Sequence, residues 1–171
     1  THHNSEKFNL TVGFRSSVVQ PIYRVFFYIP LPLLGFDPLD IMLIHAICQT
    51  WGIFVHTEHI GKLGFLEHIL VTPSHHRVHH ASNIEYLDKN MGMVLIIWDK
   101  LFGTFQAELP NKKPIYGITH RINHYNLTDV LFCEWRNLWK DLRSTASWQV
   151  KLNYLLRAPG WSPDGQHFTA K

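Results

Sequence analysis

The sequence predicts an all-α chain organised around a helical hairpin. Two long apolar runs, residues 17–36 and 39–56, flank the turn-forming pair Asp37-Pro38. A histidine-rich run, Ser74-His75-His76-Arg77-Val78-His79-His80, carries helical spacing. Residues 126–157 repeat apolar side chains (Leu127, Val130, Leu131, Trp135, Leu138, Trp139, Leu142) at helical intervals. Charged residues are 17% of the 171, below the usual quarter or so, and eleven Phe and six Trp accompany them. That composition excludes a disordered or fibrous chain and allows one domain with a sizeable core. Cys48 and Cys133 stand in separate segments and read as small buried hydrophobes, not as a disulfide framework. A formal charge of +3 is too mild to argue for nucleic acid, and no helix-turn-helix, finger or RNP pattern occurs.

Taken in order, residues 1–16 are polar and hold His2, His3, Glu6 and Asn9. On a helix Glu6 lies at i+4 from His2 and i+3 from His3, so the three share a face, and the carboxylate could hold a second ring nitrogen. The run 17–36 is apolar but interrupted by Pro21, Arg24, Pro30 and Pro32; the run 39–56 bears Asp40 and His45. Each is at or below the roughly 20 residues that span a bilayer core. Together they read as a hairpin that enters a membrane and returns to the same side, with two buried helices of a bundle as the alternative. Residues 57–72 are of mixed polarity, and the His-rich helix begins near residue 74. Residues 91–105 hold an apolar stretch of buried type that includes Trp98, and Pro110 and Pro114 mark a loop. The Trp/Leu stripe of 126–157, with Arg136, Lys140 and Arg143, suits a core-facing helix ahead of an interfacial one. The tail from Ala158 is loop-like.

Neutral imidazole is the commonest metal ligand in proteins. At about 100° per residue, His76, His79 and His80 (i, i+3, i+4) fall within roughly 100° of arc and project from one rod. Candidate ligands form three groups: His2 and His3; His56, with His59 near it; and His76, His79 and His80. Each group borders an apolar run, so a membrane hairpin brings all three to one aqueous face. Six or more imidazoles exceed a single structural zinc, which takes four ligands, often thiolates. A set of this size suits two metals, and imidazole alone does not select which. The absence of H-E-x-x-H argues against a zinc protease, and that of a nucleophile elbow against a serine hydrolase.

Several segments resemble one family. Thr1-His2-His3-Asn4-Ser5-Glu6-Lys7-Phe8-Asn9-Leu10 is similar to the end of a second histidine box, and Thr72 to His80 (TPSHHRVHH) to a third. His56-Thr57-Glu58 with Leu63-Gly64, Asp88-Lys89-Asn90 with Val94 to Phe105, Pro114 to His120 and Pro159-Gly160-Trp161 fit the same pattern. The chain resembles the fatty acid hydroxylase/sterol desaturase superfamily, in its alkylglycerol monooxygenase-like branch. The resemblance implies a membrane helical hairpin (about 17–56), a cytosolic-face helical metal-binding region (about 57–125) and a C-terminal helical segment (126–171). It implies His2, His3, His56, His76, His79 and His80 as ligands of two non-haem irons. His59 replaces an apolar residue of the pattern, and His75 sits about 100° behind His76, so both stand apart from that set. Glu6, Asn9, Asn83 and Asp88 are the candidate outer-shell residues. A first box and the first histidine of the second box are absent, which implies a segment of a longer enzyme, inactive by itself.

The implied function is O2-dependent hydroxylation or desaturation of a lipid. In the alkylglycerol branch, the carbon beside the ether oxygen is hydroxylated and the hemiacetal collapses to an aldehyde. The electron donor implied is tetrahydrobiopterin in that branch and a cytochrome b5-type carrier in others. The location implied is the endoplasmic reticulum if eukaryotic, the inner membrane if bacterial. A sterol C5-desaturase or fatty acid hydroxylase is the alternative within the class. A non-catalytic membrane protein with a structural zinc–histidine cluster, or a metal-independent lipid-binding helical domain, is the alternative outside it.

Overall fold

A computed structural model describes residues 2–16, 20–117, 126–157 and 161–165. The start of the first apolar run, the end of the Pro114 to His120 segment and the Pro159-Gly160 pair lie outside the described residues. The chain divides into two compact units, Thr1–Thr119 and His120–Lys171. The described residues are mostly helical and hold no strands, only two isolated bridges, Leu70 with Leu95 and Ala81 with Tyr116.

The first unit opens on a 3-10 turn, His2–Asn4, and a short helix α1, Leu10–Gly13, capped by the Asn9 side chain on the Thr11 N–H at 3.0 Å. Because the turn stops at Asn4, the expected helical face joining His2, His3 and Glu6 does not form. The apolar hairpin is built from α2 (Gln20–Tyr28), α3 (Pro30–Leu33) and α4 (Pro38–Phe54). Asp37 accepts from the Leu39 N–H at 2.7 Å and Pro38 occupies the first turn, which together start α4. The hairpin closes through a polar seam: Tyr28 Oη meets His45 Nδ1 at 2.8 Å, and Arg24 donates to Gln49 at 3.2 Å. Its apolar side chains point outward instead; Phe27 is 75% exposed, Leu33 82% and Leu39 74%, and none of the three helices holds a buried residue. The 17 residues of α4 rise about 26 Å, short of the roughly 30 Å of a bilayer core. No helix among the described residues is long and apolar enough to cross a membrane.

Helix α5, Pro73–His79, is the centre of the unit. Thr72 and His75 close a capping box at its start, Pro73 takes the first turn, and Pro73, Ser74, His75, Arg77 and Val78 are buried. Val78, Ala81 and Tyr86 form a small core. Helix α6, Ile97–Phe102, ends at Gly103, whose left-handed φ of 73° makes the αL cap. The stretch around it is not the buried one expected: Ile96 and Asp99 face inward, while Trp98 is 53% exposed. With only six residues, α6 presents one narrow inner face.

In the second unit, α7 (Leu127–Ser144) and α8 (Trp148–Leu156) replace the single helical pattern of 126–157. Thr145 adopts an extended backbone, and Ser147 restarts the helix by accepting from the Val150 N–H. The Trp/Leu stripe divides: Val130, Leu131, Leu138 and Leu142 are half-buried. Cys133 is the buried residue of α7, while Trp135 and Trp139 are more than half exposed.

Candidate metal centre

Six imidazoles converge beneath α5. His2, His56, His76 and His80 each offer a ring nitrogen within 4.8 Å of the others, and His3, His79 and His80 form a second such group. Three elements supply them: the N-terminal 3-10 turn, the residues just past α4, and α5 with its C-cap. The α5 trio shares a face because His80, the C-cap, keeps an αR backbone (φ −84°, ψ −5°) and so extends the spiral. His56 reaches the trio because α1 and α4 approach closely at Gly13, where a Cβ would sit 3.0 Å from Ile53 Cα and 3.2 Å from His56 Nδ1.

Backbone carbonyls decide which nitrogen each ring presents. A carbonyl only accepts, so the nitrogen facing it carries the proton. His2 Nδ1 donates to the Arg15 carbonyl at 3.0 Å, His56 Nδ1 to Gly52 at 2.5 Å and His79 Nδ1 to Lys89 at 3.2 Å. In the neutral rings Nε2 is then a bare lone pair. His56 Nε2 lies 3.1 Å from His2 Nε2, 3.1 Å from His80 Nε2 and 3.0 Å from His76 Nε2. Between His2 and His56, then, two lone pairs face each other with no proton between them. A cation at their centre relieves that repulsion. Ligand nitrogens about 2.0–2.1 Å from a metal stand about 3 Å apart, as these do. His76 Nδ1 is buried with no hydrogen-bond partner, a further sign of an all-nitrogen site organised around something other than protein hydrogen bonds. The donor set fits a non-haem metal: neutral imidazoles, with no thiolate or carboxylate among the grouped atoms.

Phe8 covers the cluster. It is 5% exposed, stacks on His56 at 5.4 Å and lies 5.2 Å from His80. Tyr116 stacks on Phe8 at 4.9 Å and 14°. Burial is also what keeps the imidazoles neutral. It lowers His2, His76, His79 and His80, and holds His3 at about 3 and His56 at about 4; neighbouring imidazoles push most of them further.

These shifts give the metal-free protein a pH dependence of defined sign. The ordinary imidazole value is 6.5, and each folded-state value lies below it, so below pH 6.5 the unfolded chain binds more protons than the fold. Stability is therefore full above about 6.5 and falls with pH until the lowered values are passed. The slope reaches at most about 1.4 kcal/mol per pH unit for each such imidazole. Metal affinity falls in the same direction, because protons compete for the ligand nitrogens. Urea midpoints of metal-free protein at pH 7.5 and 5.5 check this, and equal midpoints contradict it.

The other expected site residues lie elsewhere. His59 is exposed and outside both groups. His75 points away, its Nε2 3.1 Å from Glu67 and its Nδ1 accepting from the Thr72 N–H. Glu6 is exposed, and the ring nitrogen it was expected to hold is held by Arg15 instead. Asn9 caps α1. Asn83 braces the loop above, donating to Lys113 and accepting from Ile115. Asp88, with a left-handed φ of 54°, precedes the Lys89 carbonyl that holds His79.

Residues not singled out from the sequence complete the surroundings. Arg77, on the back of α5, donates to Glu108 at 2.7 Å and to the Thr57 and Ile60 carbonyls at 3.0 and 2.8 Å. It thereby anchors the loop that follows His56. The buried Asp99 carboxylate accepts from the Met91 and Gly92 N–H groups and from Thr104. Polar residues within an apolar stretch were the available signal for Asp99; Phe8 offered none.

A helical scaffold that turns six neutral imidazoles toward one another, His56 and His80 buried and the other four half-buried, defines a class: proteins with a histidine cluster that could hold a non-haem metal. The chain belongs to the fatty acid hydroxylase family, whose model matches residues 1–104. It is 44% identical to the alkylglycerol monooxygenase of Homo sapiens over 95% of its own length and 36% of the relative's. It is also 37% identical to an ornithine lipid hydroxylase of Rhizobium tropici, over 55% of this chain and 28% of that one. A delta(7)-sterol 5(6)-desaturase of Gibberella zeae is 26% identical over 52% of this chain and 26% of its own length. The chain thus spans about a third of the alkylglycerol monooxygenases it matches. No solved structure matches it.

Proposed function

We propose that the protein is a membrane-bound, non-haem di-iron oxidoreductase that uses O2 to hydroxylate a lipid, at the carbon beside the ether oxygen of an alkylglycerol. The observation that carries this is the pair of imidazole groups joined at His80, with Nε2 lone pairs about 3 Å apart and no protein donor between His2 and His56. His2, His56, His76 and His80 are assigned to one iron, and His3 and His79, with His80 beside them, to the second. Iron held there supplies the redox chemistry with O2 that imidazoles lack.

The chain's own residues do the rest. Arg15, Gly52 and Lys89 carbonyls hold the Nδ1 protons of His2, His56 and His79, so that Nε2 stays free. Phe8 excludes water from the rings. The outward apolar faces of α2 to α4 lie against lipid, with Arg24, His45 and Gln49 turned to one another. Tetrahydrobiopterin is the proposed electron donor, with a cytochrome b5-type carrier as the alternative. The similarity to a desaturase and to another lipid hydroxylase favours a second reading within the class, in which the substrate is a sterol or fatty acyl chain.

The test uses the whole protein in detergent, loaded with ferrous iron and given tetrahydrobiopterin and 18O2. An alkylglycerol should yield a fatty aldehyde, and the label should enter the product. Label in a hydroxylated acyl chain, or an alkene from a sterol, selects the second reading. Tightly held zinc with no O2 uptake, with tetrahydrobiopterin or with a reduced cytochrome b5-type carrier in its place, overturns both and leaves a structural zinc cluster.

A further inference from the structure

Resting on the two-position reading above, we propose that Asn90 is a positioning residue for His79, and through it sets the affinity of one metal position independently of the other. His79 Nδ1 donates to the Lys89 carbonyl. Lys89 stands between Asp88 and Asn90, whose φ values of 54° and 52° are left-handed, and no other described non-glycine residue has a positive φ. Asn and Asp are the types that enter this region most readily, and such backbone persists where its surroundings over-determine it.

Asn90 supplies that determination. It is fully buried, and both polar atoms of its side chain are hydrogen-bonded. Nδ2 donates to the His75 carbonyl at 3.0 Å and the Gln106 carbonyl at 2.7 Å, while Oδ1 accepts from the Gln106 N–H at 2.9 Å. Its own N–H donates to the Thr104 carbonyl at 3.0 Å. His75 lies one helical turn before His79 on α5. The 88–90 turn is therefore tied to the metal helix twice, by the Asn90 amide to the His75 carbonyl and by the Lys89 carbonyl to the His79 ring. Asp99 secures the following residues through the Met91 and Gly92 N–H groups. Removing the Asn90 amide releases the first tie and leaves the turn held by the Asn90 N–H on Thr104 and by Asp99 alone, which loosens the Lys89 carbonyl on Nδ1. His79 is left free to exchange tautomers and to turn Nε2 out of the site. The group of His2, His56, His76 and His80 does not contain His79, and His2 and His56 there are held by the Arg15 and Gly52 carbonyls.

The experiment titrates Co2+ into the metal-free whole protein against a competing chelator, for wild type, Asn90→Ala and Tyr86→Phe. Wild type should take two equivalents. Asn90→Ala should weaken one of them by about 10–100-fold, the range seen when a group behind a ligand is lost, and leave the other unchanged. Tyr86→Phe removes two hydrogen bonds of an equally buried side chain, to the Lys112 carbonyl and from the Leu109 N–H, without touching the 88–92 turn. It should lower thermal stability and leave both equivalents intact. Asn90→Asp keeps the acceptor and the backbone preference but loses both donors. It should reproduce the selective loss if Asn90→Ala does not fold. Imidazole 15N shifts of the metal-free protein add a readout that needs no metal: His79 should be the Nδ1–H tautomer in wild type and a mixture in Asn90→Ala. Unchanged His79 shifts with unchanged affinities, or equal weakening of both equivalents, overturns the role of Asn90. A wild type that takes fewer than two equivalents, yet shows the fixed tautomer, overturns the two-position reading instead.

Discussion

Replacing His80 with alanine should empty both metal positions and abolish activity, whereas His2→Ala should empty one. His80 alone belongs to both imidazole groups. Its Nε2 faces His56 Nε2 at 3.1 Å, and its ring stacks on His3 at 4.2 Å and 12°. The loss should exceed the roughly 10–100-fold expected of a residue that only braces a ligand. Metal content by mass spectrometry, beside turnover, checks it: retention of two equivalents in His80→Ala would remove His80 from the site. In the metal-free protein the same change removes one acid-sensitive imidazole, so the fall in stability below pH 6.5 should become shallower.

Arg77→Ala should destabilise the fold by about 3–5 kcal/mol, the cost of leaving one partner of a buried ion pair uncompensated. The side chains of Arg77 and Glu108 are 9% and 22% exposed, so solvent replaces little of what is lost. The Thr57 and Ile60 carbonyls lose their donor at the same time. Arg77→Lys should recover only part, because an ammonium cannot fork to a carboxylate and reach two carbonyls together. Denaturant unfolding of Arg77→Ala, Glu108→Gln and the double variant measures the coupling. Strict additivity would show that the pair contributes nothing through its contact. Because the same guanidinium holds the loop that follows His56, metal affinity should fall with stability.

Much of the site was legible in the sequence, but unevenly. Helical spacing placed His76, His79 and His80 on one face, and α5 with its C-cap realises it because that argument needs only local geometry. His2, His3 and His56 are candidates from their places beside the apolar runs, the resemblance implies them as ligands, and the structure brings all three to the same cluster. Glu6 shows where the local argument fails: it assumed a helix through residues 2–6, and the 3-10 turn ends at Asn4. Trp98 failed differently. The apolar run 91–105 predicts a buried Trp98, yet Ile96 and Asp99 take the inward positions. Asn90 and Asp99 carry no sequence signal of their roles beyond lying in segments that match the family, and both are buried with their polar atoms hydrogen-bonded.

By itself the sequence determined the helical class, the apolar hairpin and the candidate imidazoles, because composition, periodicity and i, i+3, i+4 spacing are properties of short stretches. Only the tertiary structure decided which rings share a centre, since His2, His56 and His80 meet across separations of 54 and 24 residues. It alone decided which nitrogen each ring presents. The Arg15, Gly52 and Lys89 carbonyls set those tautomers. Every residue carries a carbonyl, so no side-chain pattern marks the three that matter.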